Sequence, residues 1–212
     1  MAITMRTEGA CLQTFQCLGT LHQTFIVGRR IMLLADKLAA LLPPRARVLD
    51  VGCGDGLIDS LITTHRPDLS IDGIDVLVRA NTYIQVQEFD GVNVRYPDAS
   101  FDVVMFVDVL HHTKDPLALL REASRVANTI LIKDHFRDGI LADQTLRFMD
   151  WVGNARHGVA LTYNYWSKSQ WNDAYKTLSL KIECLQERLN LYPLPASWLF
   201  DRRLQFIARL KV

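Results

Sequence analysis

The chain is short of cysteine, of net charge and of uninterrupted apolar sequence, and each shortage removes a class of protein. Among its four cysteines, Cys11, Cys17, Cys53 and Cys184, no two are spaced CxxC, so neither a zinc site nor a disulfide framework is expected. Cys53 reads as a small turn residue. Lys and Arg number 24 against 23 Asp and Glu, a formal net charge of +1, which gives no electrostatic footprint for nucleic acid. The apolar run Ile31 to Leu42 is broken by Asp36 and Lys37 and is too short to span a bilayer. The first residues also lack a basic segment followed by an apolar core, so a cytoplasmic protein without a membrane span is expected. There is no G-x-S-x-G elbow for a covalent nucleophile, and no internal repeat, low-complexity tract or linker. What remains, 212 residues of which 49% are hydrophobic and 22% charged, suits one globular domain with a real core.

The chemistry is concentrated in Val48-Leu49-Asp50-Val51-Gly52-Cys53-Gly54-Asp55-Gly56. A short apolar strand runs into a glycine-rich turn and then an apolar helix, Leu57 to Ile62, so backbone N–H groups at the helix start can face an anionic group. Asp75 ends a second strand about 20 residues further on, where an acidic residue accepts from ribose hydroxyls. The dinucleotide fingerprint needs a glycine one step after Gly56, and that position is Leu57. Asp50 and Asp55 would repel a pyrophosphate but suit a ligand bearing an ammonium and a sulfonium. S-adenosylmethionine (SAM) therefore fits this turn better than NAD.

Val48 to Gly56 resembles the first motif of class I SAM-dependent methyltransferases, an apolar strand followed by D/E-x-G-x-G-x-G. Three further blocks follow in the family's order. Asp90 to Val104 is similar to the segment that brings an aspartate to the adenine and enters the fourth strand. Val109-Leu110-His111-His112, then Asp115-Pro116 and Glu122 to Val126, resemble the strand end and helix of the small-molecule branch that includes quinone and lipid methyltransferases. The match covers Arg45 to Phe136. It implies a Rossmann-like, doubly wound α/β fold whose mostly parallel, seven-stranded sheet ends in an antiparallel C-terminal strand pair, with the last strand inserted beside the fifth. It also implies SAM as cofactor and S-adenosylhomocysteine (SAH) as product. On this pattern residues 1–44 form an N-terminal helical cap, 45–136 the SAM-binding core, 137–175 a substrate lid region and 176–212 the strand pair.

Local patterning leads to the same class of fold, because apolar strands alternate with helical stretches. Ile31, Leu34, Leu38 and Leu41 recur at helical spacing before Pro43-Pro44. Val103 to Val107 reads as a buried central strand and Thr129 to Ile132 as the fifth, while Asp115 can cap a helix beginning at Pro116. Ser167 and Gln170 read as an S-x-x-Q capping box. Leu178, Leu180, Ile182 and Cys184 alternate with polar residues, and Leu204, Phe206, Ala208 and Leu210 repeat at the same period. Between Asp75 and a strand at Ile84 to Phe89 the chain scarcely holds a helix, whereas a parallel crossover normally takes about a dozen residues or more. A loop or single turn is expected there.

Within the resemblance, Gly52, Gly54 and Gly56 permit close approach of the backbone to the ligand. Asp50 attracts the methionine ammonium and Asp75 accepts from the ribose. Val76 and Leu77 stack on adenine, Asp90 accepts from its exocyclic amine, and the N–H of Gly91 donates to the ring. Asp108 orients the substrate or the methionine amine, or else caps the next turn. Candidate bases are His111 and His112 after the fourth strand and Asp134 and His135 at the end of the fifth, since ligands of open α/β sheets sit outside these carboxyl ends; helix-start bonding or packing is the plainer role for each histidine. Ile140, Leu141, Leu146, Phe148, Met149, Trp151 and Val152 suggest an apolar helix, with Arg147, Asp150, Asn154, Arg156 and His157 as polar groups nearby. Trp151, Tyr163, Tyr165 and Trp166 are the substrate candidates, the alternative being a satellite core. A methyl on sulfonium is already electrophilic, so no metal is needed.

The acceptor implied is a small, partly apolar or lipid-like molecule, the latter bringing the protein to a membrane surface without spanning it. The atom methylated (O, C or N) and the oligomeric state stay open. Two rival readings are a SAM-binding regulatory protein without turnover and a nucleic-acid or protein methyltransferase. Against the second, the fourth strand ends Asp108-Val109-Leu110-His111 rather than N/D-P-P-Y, and there is no basic stripe.

Overall fold

A computed structural model describes residues 28–154 and 162–212. Cys11, Cys17, Arg156 and His157 lie outside the described residues. Seven strands form one sheet: β1 (Arg47–Val51), β2 (Ser70–Asp75), β3 (Val86–Glu88), β4 (Phe101–Val107), β5 (Ala127–His135), β6 (Lys181–Gln186) and β7 (Gln205–Lys211), in the order β3-β2-β1-β4-β5-β7-β6. All neighbours are parallel except β5·β7 and β7·β6. The expected doubly wound sheet with its antiparallel pair, and the insertion of the last strand beside the fifth, are both present.

Alternation along the central strands sends successive side chains to opposite faces, and both faces are covered. Val48, Val103, Met105, Leu131 and Ile207 meet helices α1 (Gly28–Leu41) and α2 (Leu57–His65) through Leu34, Leu38 and Ile62. Leu49, Val104, Phe106, Ile130, Ile132 and Phe206 meet α3 (Pro116–Val126) and α5 (Lys168–Thr177) through Leu119, Leu120, Trp171 and Tyr175. Each fully buried leucine contributes about 1.5–3 kcal/mol. The Asp115 carboxylate accepts from the Ala118 N–H at 2.9 Å with Pro116 following, and the Ser167/Gln170 capping box starts α5.

Two elements differ from the sequence patterning. The fifth strand runs on past Ile132 to His135, because Lys133 and Asp134 find ionic or hydrogen-bonding partners inside the protein and the pairing with β7 continues as far as His135 opposite Gln205. The alternation beginning at Leu178 does not open a strand there: Leu178 closes α5, Ser179 takes a left-handed φ of 58°, and β6 starts at Lys181. The second crossover, residues 76–85, contains no helix, and it leaves Val76, Leu77, Val78 and Tyr83 exposed. No helix among the described residues is long and apolar enough to cross a membrane.

Candidate active site

The carboxyl ends of β1, β2, β4 and β5 gather nearly all the polar groups singled out above. Gly52, Gly54 and Gly56 adopt φ of 80°, 64° and 75°, in the left-handed region that a side chain rarely takes. Their surroundings differ. A Cβ on Gly52 would lie 2.6 Å from Val109 Cγ2 and one on Gly56 2.3 Å from Ile84 Cγ1, so the packing of the protein itself demands both glycines. At Gly54 the nearest atom is Nη2 of Arg79, at 3.4 Å. That guanidinium is ion-paired with Asp55 at 3.2 Å and lies over the turn on a flexible stem that can withdraw. Gly54 is thus the one of the three that packing alone does not demand.

Asp75 stands where the turn meets β2. Its Oδ2 accepts from the Gly54 N–H and its Oδ1 from the Leu77 N–H, each at 2.8 Å, which fixes the carboxylate at the strand end. Val76 Cγ1 would be 3.4 Å from a Cβ on Gly91, whose φ is 83°, so Val76 packs closely on the Gly91 backbone beyond β2 and β3. Asp90 closes its own turn: Oδ1 accepts from the N–H groups of Asn93 at 2.7 Å and Val92 at 2.9 Å, and these bonds hold its pKa down to about 2. Asp50 is buried at the end of β1, and beside it lies Asp59 of α2, an acid absent from the sequence reading. Burial and the Asp59 charge push the Asp50 carboxyl well up; burial raises Asp59 to about 6.

The second part of the site follows β4. A short 3₁₀ turn, Leu110–His112, carries two histidines, and Val109 just before it packs on Gly52. His111 Nδ1 lies 2.7 Å from Asp134 Oδ1. Asp134 also accepts from the N–H groups of Leu110 at 3.1 Å and His135 at 2.8 Å. Burial opposes its charge, but His111 first and then the His135 ring hold the carboxyl well below the usual range, so it accepts only. The proton of a neutral His111 then sits on Nδ1 and Nε2 carries the free lone pair. Burial lowers the affinity of His111 for a second proton, yet Asp134 outweighs it and the pKa is raised. His112, with Nε2 3.4 Å from Asp150 Oδ1, is pushed down by burial and by His111. His135 is pushed down by burial and by Lys133 to about 4, which leaves it neutral at pH 7.

Asp108 is engaged elsewhere. Its carboxylate is gripped by Lys133, fully buried on β5, and by Arg30 of α1, and despite burial these two cations keep its pKa well below normal. Burial lowers Lys133 to about 8. Asp108 therefore ties α1 to the sheet beside the site.

The four aromatic candidates separate. Tyr165 stacks on His111 with centroids 4.9 Å apart and 19° between planes, and its hydroxyl donates to the Leu146 carbonyl at 3.2 Å. Tyr163 lies under the Arg147 guanidinium, and both tyrosines join a small cluster with Ala142, Leu146 and Leu204. Trp151, on α4 (Ala142–Asn154), is 57% exposed. Trp166 turns away, edge-on to Trp171 in the main core. The segment before it is strapped to the histidine turn: Thr162 Oγ1 and Asn164 N–H both donate to the His111 carbonyl, at 2.8 and 3.0 Å, and Asn164 Nδ2 donates to the Thr113 carbonyl at 3.1 Å.

A glycine turn with an acidic strand end on one side, and a histidine–carboxylate group on the other, is the site of an α/β group-transfer enzyme. The chain matches the family described as "Methyltransferase domain" over residues 22–185. It belongs to that family, the class I SAM-dependent methyltransferases. It is 37% identical to 27-O-demethylrifamycin SV methyltransferase of Amycolatopsis mediterranei over 44% of this chain and 39% of that protein. With the ubiquinone biosynthesis O-methyltransferase of Hahella chejuensis it shares 33% identity over 43% of this chain and 42% of the relative. The matching stretch thus spans about two fifths of either relative's length. The fold is similar to that of a SAM-dependent methyltransferase from Aquifex aeolicus, with TM-score 0.60, 15% identity and coverage of 92% of this chain and 98% of the other. The residues fit the family's cofactor: no fixed side chain crowds the backbone at Gly54, and the buried Asp50 Oδ1 meets no hydrogen-bond donor among the described residues, which leaves an acceptor for an ammonium.

Proposed function

We propose that the protein methylates a hydroxyl of a small, partly apolar molecule, with His111 as the base. The carrying observation is the His111–Asp134 pair, 2.7 Å apart and linked to the glycine turn through Val109. Bound SAM supplies an electrophilic methyl group. Asp50, Asp75, Val76, Gly91 and the turn at Gly54 position it, and His111 Nε2 accepts the proton the acceptor loses. Asp134 holds the imidazole in the correct tautomer and stabilises the cation that forms. Such a base suits an oxygen acceptor. The strap at Thr162 to Tyr165 covers His111, so the acceptor enters when that strap shifts, and Tyr163, Tyr165 and Trp151 line its path. A cytoplasmic site of action accords with this reading.

The test is SAH release with phenols, quinols, carboxylic acids, amines and lipids as acceptors. Turnover with hydroxyl acceptors is expected. SAH binding without turnover on any acceptor would favour a regulatory SAM-binding protein, and turnover on amines alone would displace the hydroxyl reading.

A further inference from the structure

Asp59 has no role in the function proposed so far. It lies on α2, three residues before the buried Ile62, on the side of the helix turned to the sheet, and is 0% exposed. Asp50 is 2% exposed. Asp50 Oδ1 and both carboxyl oxygens of Asp59 meet no donor among the described residues. Besides one another and the backbone N–H of Asp59 itself, the groups acting on the two are acidic: Asp75 on Asp50, and Asp55, itself paired with Arg79, on Asp59. The Cys53 thiol beside them is pushed up by burial and by the same carboxylates, so it brings no charge. Two bare anions cannot share so dry a space; one proton held between them turns repulsion into a hydrogen bond. A carboxylate in the first turn of a helix is commonly explained by the helix dipole. That account supplies no partner for Asp59's oxygens.

We propose that Asp59 is the second half of the cofactor's ammonium site: the empty protein keeps one proton between Asp50 and Asp59, and that proton passes to solvent when the ammonium arrives. This rests on the SAM reading of the glycine turn. The ammonium then takes over the charge balance, so one cation enters as one proton leaves and the buried net charge is unchanged. The pair thereby selects ligands that carry the amino-acid portion.

Titration calorimetry of SAH binding at pH 7, in two buffers of different ionisation enthalpy, reads the proton count directly. The expected result is release of about one proton per SAH, with none for 5′-methylthioadenosine, which lacks the ammonium. Asp59→Asn retains a donor toward Asp50 but no acid, and is expected to bind SAH without release. SAH binding with no proton release in the natural protein, or equal release from both ligands, would overturn the proposal while leaving the SAM reading in place. The same release in Asp59→Asn would overturn the role of Asp59. Failure of SAH to bind would remove the SAM reading and this proposal with it. The two-ligand comparison needs no variant, so it stands even if Asp59→Asn does not fold.

Discussion

Replacing Asp134 by Asn separates a catalytic pair from a structural one. The carboxylate is fully buried and accepts from His111 Nδ1, Leu110 N–H and His135 N–H at 2.7, 3.1 and 2.8 Å. An amide offers one acceptor oxygen, and its NH₂ must face at least one of these donors. One buried donor left unpaired costs about 1–3 kcal/mol, and the lost charge-assisted bond a further ~1.5–3 kcal/mol. The sum agrees with the roughly 3–5 kcal/mol typical of breaking a buried ion pair. For a chain of this size that corresponds to a fall in Tm of roughly 10 °C. The pH dependence has a definite shape. Asp134, depressed in the fold, contributes stability above the ordinary carboxyl value and loses it as the medium becomes strongly acid. His111, raised in the fold, contributes below about pH 6.5 and loses its contribution as pH climbs through the raised value. The stability gap between the natural protein and Asp134→Asn should therefore be widest between about pH 4 and 6.5. Turnover should drop by roughly 10²–10⁴-fold, and the acid limb of kcat/KM should move to lower pH because the imidazolium loses its counter-charge. Urea unfolding and SAH release, both followed from pH 5 to 8, give the two readouts. A variant that is less stable but turns over normally, with its acid limb unmoved, would refute the assignment of His111 as base.

Other substitutions probe the remaining parts. Gly52→Ala forces a Cβ to within 2.6 Å of Val109 Cγ2 at φ of 80°, and should cost about 1–3 kcal/mol in chemical denaturation; an unchanged midpoint would mean the turn can yield. Asp75→Ala should weaken SAH binding at least tenfold by calorimetry, from loss of charge-assisted bonds worth on the order of 1.5–3 kcal/mol, and equal affinity would remove the ribose assignment. Tyr165→Leu uncovers His111 and should change the acceptor KM with SAH affinity unaltered, whereas Trp166→Leu should lower Tm with normal kinetics because its ring packs in the core; the opposite pattern would reverse the two roles.

The glycine-turn half of the candidate site was legible because its residues are local. Asp50, the three glycines and Asp75 sit at fixed distances from two strands whose apolar runs are plain, and the missing crossover helix could be read from the spacing after Asp75. The histidine half was legible only as a set of candidates. Which imidazole meets which carboxylate depends on β4 lying beside β5 and on the pitch of one 3₁₀ turn, and neither is encoded in a spacing. Asp108 carried no signal of its ties to Arg30 and Lys133, which come from distant elements. Trp166 and Tyr165, adjacent in sequence, face different neighbours because the extended segment alternates. Asp59 could have been noticed: an acid three residues before Ile62 on an apolar helix shares its buried face.

The insertion of β7 between β5 and β6 has a consequence for how the molecule is made. Asp134 and His135 pair in register with Phe206 and Gln205, so the strand that carries the proposed catalytic carboxylate gains its second neighbour only after α4, α5 and β6 have been synthesised. Until then the nascent chain presents β5 as an open edge, rich in Ile and Leu, to any passing strand. The pairing that closes it is long in sequence separation and correspondingly slow to find. Chaperone dependence during synthesis, and aggregation when the segment that includes β7 is removed, follow from the same topology that brings the site together.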